Sequence, residues 1–286
     1  MSWRQLTLDV PDDLKDAVVG ELSEAGIAGV WEDGEPAAGV TRLAVYFAAD
    51  ADLEAAERHI RSVFTRTQRP QPAISRRSFE DQDWTEEWKK SYNSFPIGDD
   101  FFVIPSWADS VCPPQRLPIR IDPGQAFGTG THETTQLTIE ALERWIEPQH
   151  LVLDLGTGSG ILAIASRLLG AYRVFACDID PVAVQVARAN IERNAENNVW
   201  TFCGSVDSVR PGSVRLALCN LTADLIVNLF PEIDRVLEAR GIAVFSGILL
   251  DQHEQVREVM DRYDFVIHEE CMRGEWLALV SQKHGD

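Results

Sequence analysis

The chain has 286 residues and a formal net charge of −19, with 45 acidic residues against 26 basic ones. Hydrophobic residues make up 45% of it, which excludes a mainly disordered protein because enough apolar surface exists to build a core. The acidic balance disfavours a direct nucleic-acid interface and favours a basic partner. No apolar run approaches the ~18 residues that suggest a membrane span. The N-terminal residues also lack the pattern of a signal peptide. We therefore expect a cytoplasmic protein without a membrane or nucleic-acid partner.

Residues 1–75 predict a small α+β domain. The alternation in RQLTLDV indicates a strand, and residues 12–25 have helical spacing. Two further strands are expected at 27–32 and 41–48, and an amphipathic helix at 52–63. The order strand, helix, strand, strand, helix favours a ferredoxin-like domain.

Residues 76–100 are interpreted as a linker that contains a helix. Trp84, Trp88 and Tyr92 recur every four residues and would share one helix face. Packing between domains is the simpler interpretation of this stripe. A ridge that contacts a partner is the alternative.

Residues 101–286 alternate between strand and helix patterns. Such alternation predicts an α/β domain with a doubly wound, mostly parallel sheet, here of seven strands. The last two strands join at Arg273–Gly274, and we expect this hairpin to add one antiparallel strand at the edge. Cys177, Cys203 and Cys219 lie in apolar runs and are expected to be reduced core residues, with no cysteine spacing that indicates a zinc site.

A glycine-rich segment joins the first strand of this domain to a helix. It reads Asp154-Leu-Gly156-Thr-Gly158-Ser-Gly160, so its spacing differs from the G-x-G-x-x-G of dinucleotide sites. Glycines permit a tight turn and a close approach of ligand to backbone. The Asp154 carboxylate would favour a cationic group over a pyrophosphate. This pattern disfavours a nicotinamide-dependent dehydrogenase.

A second acid follows at the end of the next strand. Asp178 lies 22 residues after Gly156. At that position a carboxylate can accept hydrogen bonds from both hydroxyls of a ribose. An Asx turn before Pro181 is the alternative interpretation. The loop together with Asp178 resembles the class I methyltransferases that use S-adenosylmethionine. That resemblance implies that Ser205 and Val206, after the third strand, contact adenine, although an ordinary turn is nearly as good an interpretation.

Two more segments carry polar groups of unusual type. Residues 122–135, DPGQAFGTGTHETT, provide hydroxyls and free N–H groups at the start of a helix, which can hold a carboxylate or a ribose. His132 is expected to stabilise this loop through a hydrogen bond, and acceptance of a proton through water is the alternative. Asn220 ends the fourth strand within Asn220-Leu-Thr-Ala223, where its oxygen can accept from a target nitrogen. A turn-forming asparagine is the alternative.

Taken together, these segments resemble the PrmA family, the methyltransferases of large-subunit ribosomal protein eleven, almost from end to end. The resemblance implies that Thr135, Gly156, Asp178 and Asn220 bind S-adenosylmethionine. It also implies that lysine side chains and the N-terminal amine of that ribosomal protein are the substrates, and that the domain of residues 1–75 recognises this protein substrate. Glu133 replaces the proline usual in the family, and Thr222 occupies a variable position. Both departures leave a shifted target open.

The resulting hypothesis is in-line transfer of a methyl group to a lysine nitrogen. Asn220 would orient the amine and Phe127 would wall the cleft, while Gly158 and Ser205 would complete the donor site. One alternative is the same fold acting on another protein lysine or a small-molecule amine. Another is a binding protein that kept the pocket but lost catalysis.

Overall fold

A computed structural model describes residues 2–24, 29–32, 37, 39–48, 51–80, 92–122, 128–194 and 196–285. The chain divides into two compact units, Met1–Tyr92 and Asn93–Asp286. Within the described ranges, every helix is too short or too polar to cross a bilayer.

The first unit is a four-stranded antiparallel sheet with two helices. Its elements are β1 (Ser2–Pro11), α1 (Lys15–Glu24), β2 (Gly29–Glu32), β3 (Val40–Ala48), α2 (Leu53–Arg66) and β4 (Ile74–Glu80). The strand order β2-β3-β1-β4 gives the complete β-α-β-β-α-β ferredoxin-like topology. Buried Leu6, Leu43 and Phe47 from the strands pack with Val18 and Ile60 from the helices. The predicted order of elements is therefore present, with one strand more.

That extra strand, β4, begins at Ile74 and runs into the segment interpreted as a linker. It pairs with β1 in antiparallel register, with Arg76 opposite Leu6. Its sequence, ISRRSFE, is too polar for the residue pattern to indicate a strand. The polarity follows from its place at the edge of the sheet, where charged residues are common. The linker therefore cannot begin at residue 76. The predicted linker helix, with Trp84 and Trp88, lies outside the described residues.

The second unit is built around a seven-stranded sheet. Its strands are β8 (Leu151–Leu155), β9 (Arg173–Asp178), β10 (Val199–Cys203), β11 (Val214–Asn220), β12 (Leu237–Leu249), β13 (Phe265–Arg273) and β14 (Trp276–Lys283). Its helices are α3 (Glu133–Trp145), α4 (Ile161–Leu168), α5 (Pro181–Arg193), α6 (Ala223–Val236) and α7 (His253–Arg262). A separate small sheet contains β5 (Phe95–Ile97), β6 (Phe101–Pro105) and β7 (Leu117–Ile121). The large sheet has the order β10-β9-β8-β11-β12-β14-β13.

Helices cover both faces of this sheet, as expected for a doubly wound fold. Alternate residues of the strands enter two separate cores. Val152 of β8 belongs to the core with α3, α4 and α5, whereas its neighbour Leu153 belongs to the core with α6 and α7. The predicted α/β class is confirmed. Cys177 and Cys219 are buried as expected, but Cys203 is exposed because it ends the edge strand β10.

The antiparallel strand lies inside the sheet and not at its edge. β14 pairs antiparallel with both β12 and β13, so β13 forms the edge. The expected edge position was wrong for a reason visible in burial. Leu277–Ser281 are buried without a break, whereas residues of β13 alternate between inward and outward positions. A strand buried on both faces belongs in the interior of a sheet.

Candidate functional site

The candidate site lies at the carboxyl ends of the central strands. β8 is flanked by β9 on one side and β11 on the other, so the strand order reverses there. In open α/β sheets, ligands bind at such a switch point, outside the carboxyl ends of the strands. The glycine loop follows β8, Asp178 ends β9 and Asn220 ends β11. The topology therefore brings together three of the predicted site segments.

The glycine loop folds back onto the neighbouring strand. The N–H groups of Gly156 and Thr157 both donate to the Cys177 carbonyl oxygen at 2.9 Å. Gly160 has a φ of +84°, and a Cβ there would come within 3.1 Å of the Ala187 Cα. Glycine is required at this position because α4 starts in close contact with α5.

Asp154 lies beneath the loop and is fully buried. Its Oδ2 accepts hydrogen bonds from the Thr157 hydroxyl at 2.6 Å and from the Ala163 N–H at 3.1 Å. Its Oδ1 is buried without a hydrogen-bond partner among the described residues. Desolvation raises the pKa of Asp154 to about 7. The carboxyl therefore braces the loop from beneath, and it carries a full negative charge only above about pH 7.

Asp178 contacts the glycine loop directly. Its Oδ2 accepts from the Gly158 N–H at 3.0 Å, and its Oδ1 accepts from the Asp180 N–H at 3.0 Å. The second bond is the Asx-type turn weighed as the alternative, so the same carboxylate forms the turn and faces the loop. Ile179 follows it with 78% of its surface exposed. This apolar side chain beside the loop was missed because sequence alone does not show which residue after a strand points outward.

Ser205 lies next to Asp178 through the backbone. The Gly204 N–H donates to the Asp178 carbonyl oxygen at 2.9 Å, which holds the end of β10 against the end of β9. Ser205 is half-buried there. Val206 is completely buried in the core under α6 and α7, where its side chain packs.

Asn220 and Thr135 meet although 85 residues separate them in the chain. The Asn220 Nδ2 donates to the Thr135 Oγ1 at 3.4 Å. Thr135 is buried in the first turn of α3 and does not cap it. The N-cap is His132, whose Nδ1 accepts from the Thr134 N–H at 3.3 Å. The expected loop-stabilising bond of His132 is therefore present. Phe127 lies outside the described residues.

Other residues that sequence reasoning missed hold these segments together. A Cβ on Gly247 would lie 2.3 Å from the Leu221 carbonyl oxygen, and one on Gly156 would lie 2.6 Å from the Leu221 side chain. Leu221, in the turn after Asn220, thus packs closely against two glycines. Asn190, buried in α5, donates through Nδ2 to the carbonyl oxygens of Asp122 and Ser159. Its only sequence signal was an amide inside an apolar helix.

The acidic side chains at the site fit a ligand that has two neighbouring hydroxyl groups and a positively charged centre. The titratable side chains that contact the loop in the described part of the chain are both acidic, the carboxylate of Asp178 and the buried carboxyl of Asp154. Carboxylates repel a pyrophosphate but attract a cationic group and accept hydrogen bonds from hydroxyls. Exposed Ile179 adds an apolar surface at the same place. These features suit an adenosyl sulfonium compound.

Comparison with known proteins identifies the family. A sequence model described as "Ribosomal protein L11 methyltransferase (PrmA)" matches residues 2–284. A protein of that name from Streptococcus uberis is 34% identical over 310 residues, covering 100% of this chain and 97% of its own. One from Synechococcus elongatus is 35% identical over 291 residues, covering 98% and 96%. The chain belongs to the ribosomal protein L11 methyltransferase family.

A solved structure supports the same assignment. The crystal structure of a ribosomal protein L11 methylase from Lactobacillus delbrueckii subsp. bulgaricus superposes with a TM-score of 0.64 at 31% identity. It covers 68% of this chain and 100% of that one. The resemblance inferred from the sequence motifs is confirmed. The protein is therefore a methyltransferase, and its methyl donor is S-adenosyl-L-methionine.

Proposed function

We propose that this enzyme methylates lysine side-chain amines, and the N-terminal amine, of ribosomal protein L11. The observation that carries the proposal is the contact between Asn220 and Thr135 at the carboxyl ends of the strands that also carry the glycine loop and Asp178. An amide at this position can hold an amine in front of a donor. The identity of the protein substrate, L11, is inferred from the names of the family and of its members.

The donor is held, in this proposal, by groups from three strand ends. The Asp178 carboxylate accepts hydrogen bonds from the ribose hydroxyls, and exposed Ile179 covers one face of the adenine. Gly156 and Gly158 let the backbone approach the methionine part, and Ser205 adds a polar contact beside Asp178. Phe127 is retained as a predicted wall of the cleft. When bound, the donor supplies an electrophilic methyl group on a cationic sulfur.

Asn220 orients the acceptor nitrogen. With Nδ2 directed at Thr135, the Oδ1 of Asn220 is the atom that accepts from an amine N–H. Lysine attacks only as the neutral amine, whereas its ordinary pKa is about 10.4. Entry into a cleft with apolar walls lowers that pKa, because desolvation disfavours the ammonium form. Positioning of the neutral amine then accounts for much of the acceleration.

The first unit, with its ferredoxin-like topology, is proposed to recognise the protein substrate. A small-molecule acceptor would not need such a domain. The net charge of −19 suits a basic ribosomal protein better than a nucleic acid. This substrate would also place the enzyme in the cytoplasm.

The test is mass spectrometry of recombinant L11 after incubation with the enzyme and donor. We expect methyl groups on lysine and on the N-terminal amine, and a rate about 10²-fold lower for Asn220→Ala because the amine loses its orientation. Asn228→Ala, in an exposed position of α6, is the matched control and should keep the wild-type rate.

Two results would contradict this proposal. L11 that stays unmodified while another protein or an amine is methylated would show that the target has shifted, as Glu133 and Thr222 allow. Wild-type rates for Asn220→Ala would remove Asn220 from catalysis.

A further inference from the structure

Two neighbouring strand residues donate hydrogen bonds to two successive residues of helix α3. Asn220 of β11 and Ser246 of β12 are register partners in the sheet. The Asn220 Nδ2 donates to Thr135 Oγ1 at 3.4 Å, and the Ser246 hydroxyl donates to the Thr134 carbonyl oxygen at 3.1 Å. The helix start is thus tied to the sheet at two adjacent points.

Ser246 has a second connection to the same site. Its own carbonyl oxygen accepts from the Leu221 N–H at 3.0 Å, which fixes the turn that follows Asn220. The side chain is completely buried and lies 112 residues from Thr134 in the chain. A buried hydroxyl between Phe245 and Gly247 needs a partner, and here its partner is the helix that carries Thr135.

His132 holds the same turn as its N-cap. Its Nδ1 lies 2.8 Å from the Thr134 Oγ1 and 3.3 Å from the Thr134 nitrogen. Its ring meets the edge of the Trp276 ring, with centroids 5.0 Å apart. Thr134 is therefore held from both ends, by the cap at its N–H and by Ser246 at its carbonyl.

We propose that Ser246, assisted by His132, is a positioning residue that fixes the first turn of α3 so that Thr135 and Asn220 meet. The proposal rests on the roles proposed for Thr135 and Asn220 in holding donor and amine. One hydrogen bond contributes only a small part of the stability of a domain, so the fold survives its loss. A displacement of about 1 Å at a reacting centre, however, can cost 10²-fold in rate.

The chain offers a close control for Ser246→Ala. Thr138, also completely buried, donates its hydroxyl to the same Thr134 carbonyl at 2.8 Å, but from within α3. Thr138→Val removes that bond without releasing the helix from the sheet. Each variant removes one hydroxyl that donates to the Thr134 carbonyl oxygen. Only Ser246→Ala also removes the connection between α3 and β12.

The experiment measures the Kd of S-adenosylhomocysteine by calorimetry, and then kcat and KM for L11. For Ser246→Ala we expect binding about five- to tenfold weaker and kcat lower by a similar factor, with KM for L11 unchanged. Thr138→Val should bind and turn over as the wild type does. Equal losses in the two variants, or wild-type Kd and kcat in Ser246→Ala, would overturn the proposal.

A second pair of variants tests the cap independently. His132→Asn keeps a side-chain oxygen that can accept from the Thr134 N–H, whereas His132→Ala does not. We expect His132→Asn to restore the Kd that His132→Ala weakens; equal Kd values in the two would count against the proposal. Because the Kd is measured without L11, these results stand even if the enzyme proves to methylate another substrate.

Discussion

At the scale of single residues, Asp154 shows how burial tunes a charged group. It is completely buried, with two hydrogen bonds to Oδ2 and none to Oδ1 within the described structure. Desolvation, the largest effect, outweighs these bonds and raises its pKa from 3.8 to about 7. The native protein therefore keeps a proton on Asp154 over a pH range in which the unfolded chain has lost it.

This difference predicts how stability depends on pH. Between the unfolded and native pKa values the native state binds more protons, so the free energy of unfolding falls as the pH rises. Above about pH 7 both states are ionised and the contribution stays constant. We expect the wild type to lose about 1.4 kcal/mol per pH unit between pH 5 and 6.5, relative to Asp154→Asn. Urea unfolding of both proteins from pH 5 to 8 measures it.

The comparison with Asp154→Asn isolates this residue. Burial also raises the pKa of Glu143 and Glu196, but these groups are present in both proteins and their contributions cancel. Parallel curves for the two proteins would show that Asp154 does not titrate in this range.

At the scale of elements, the turn after β11 depends on its close packing against β12. Gly247 has a φ of +84°, and a Cβ there would meet the Leu221 carbonyl oxygen at 2.3 Å. Backbone cannot yield as a flexible side chain can, so the turn carrying Asn220 would have to move. The position of Asn220 is therefore decided by a glycine 27 residues further along the chain.

We predict that Gly247→Ala weakens donor binding and lowers activity by more than tenfold, as well as reducing stability. Gly170→Ala is the control, because Gly170 has a φ of +99° but no atom within 4 Å of the added Cβ. The control should show only the backbone strain, about 1–2 kcal/mol, with donor affinity unchanged. Thermal unfolding and calorimetry with S-adenosylhomocysteine distinguish the two effects. If both variants kept full affinity, the turn would not depend on this contact.

At the scale of the whole molecule, the net charge of −19 governs how the enzyme meets a basic protein. Long-range attraction raises the association rate and is screened by salt, with a Debye length of about 10 Å at 0.1 M. The charge excess thus bears on the encounter and not on the chemical step.

We expect kcat/KM for L11 to fall steeply as ionic strength rises from about 0.05 to 0.5 M, while kcat at saturating L11 stays nearly constant. Steady-state kinetics over this range provide the measurement. A kcat/KM that is independent of salt would rule out steering by charge.

Some of the site could be predicted from local sequence, and some could not. The glycine loop, Asp178 and Asn220 follow strands whose apolar runs are evident, so their common position at one end of the sheet follows from parallel topology. Ser246 gave no such signal, since a serine inside a strand has meaning only when its neighbours are known. Ile179 and Gly247 were likewise missed.

The sequence by itself determined the alternation of strands and helices, the class of fold and the family, because periodicity and turn chemistry act over a few residues. Only the tertiary structure decided that β4 completes the first sheet and that β14 lies between β12 and β13. It alone paired Asn220 with Thr135 and Ser246 with Thr134, across 85 and 112 residues. Such contacts depend on which strands become neighbours, and local residue patterns do not specify that.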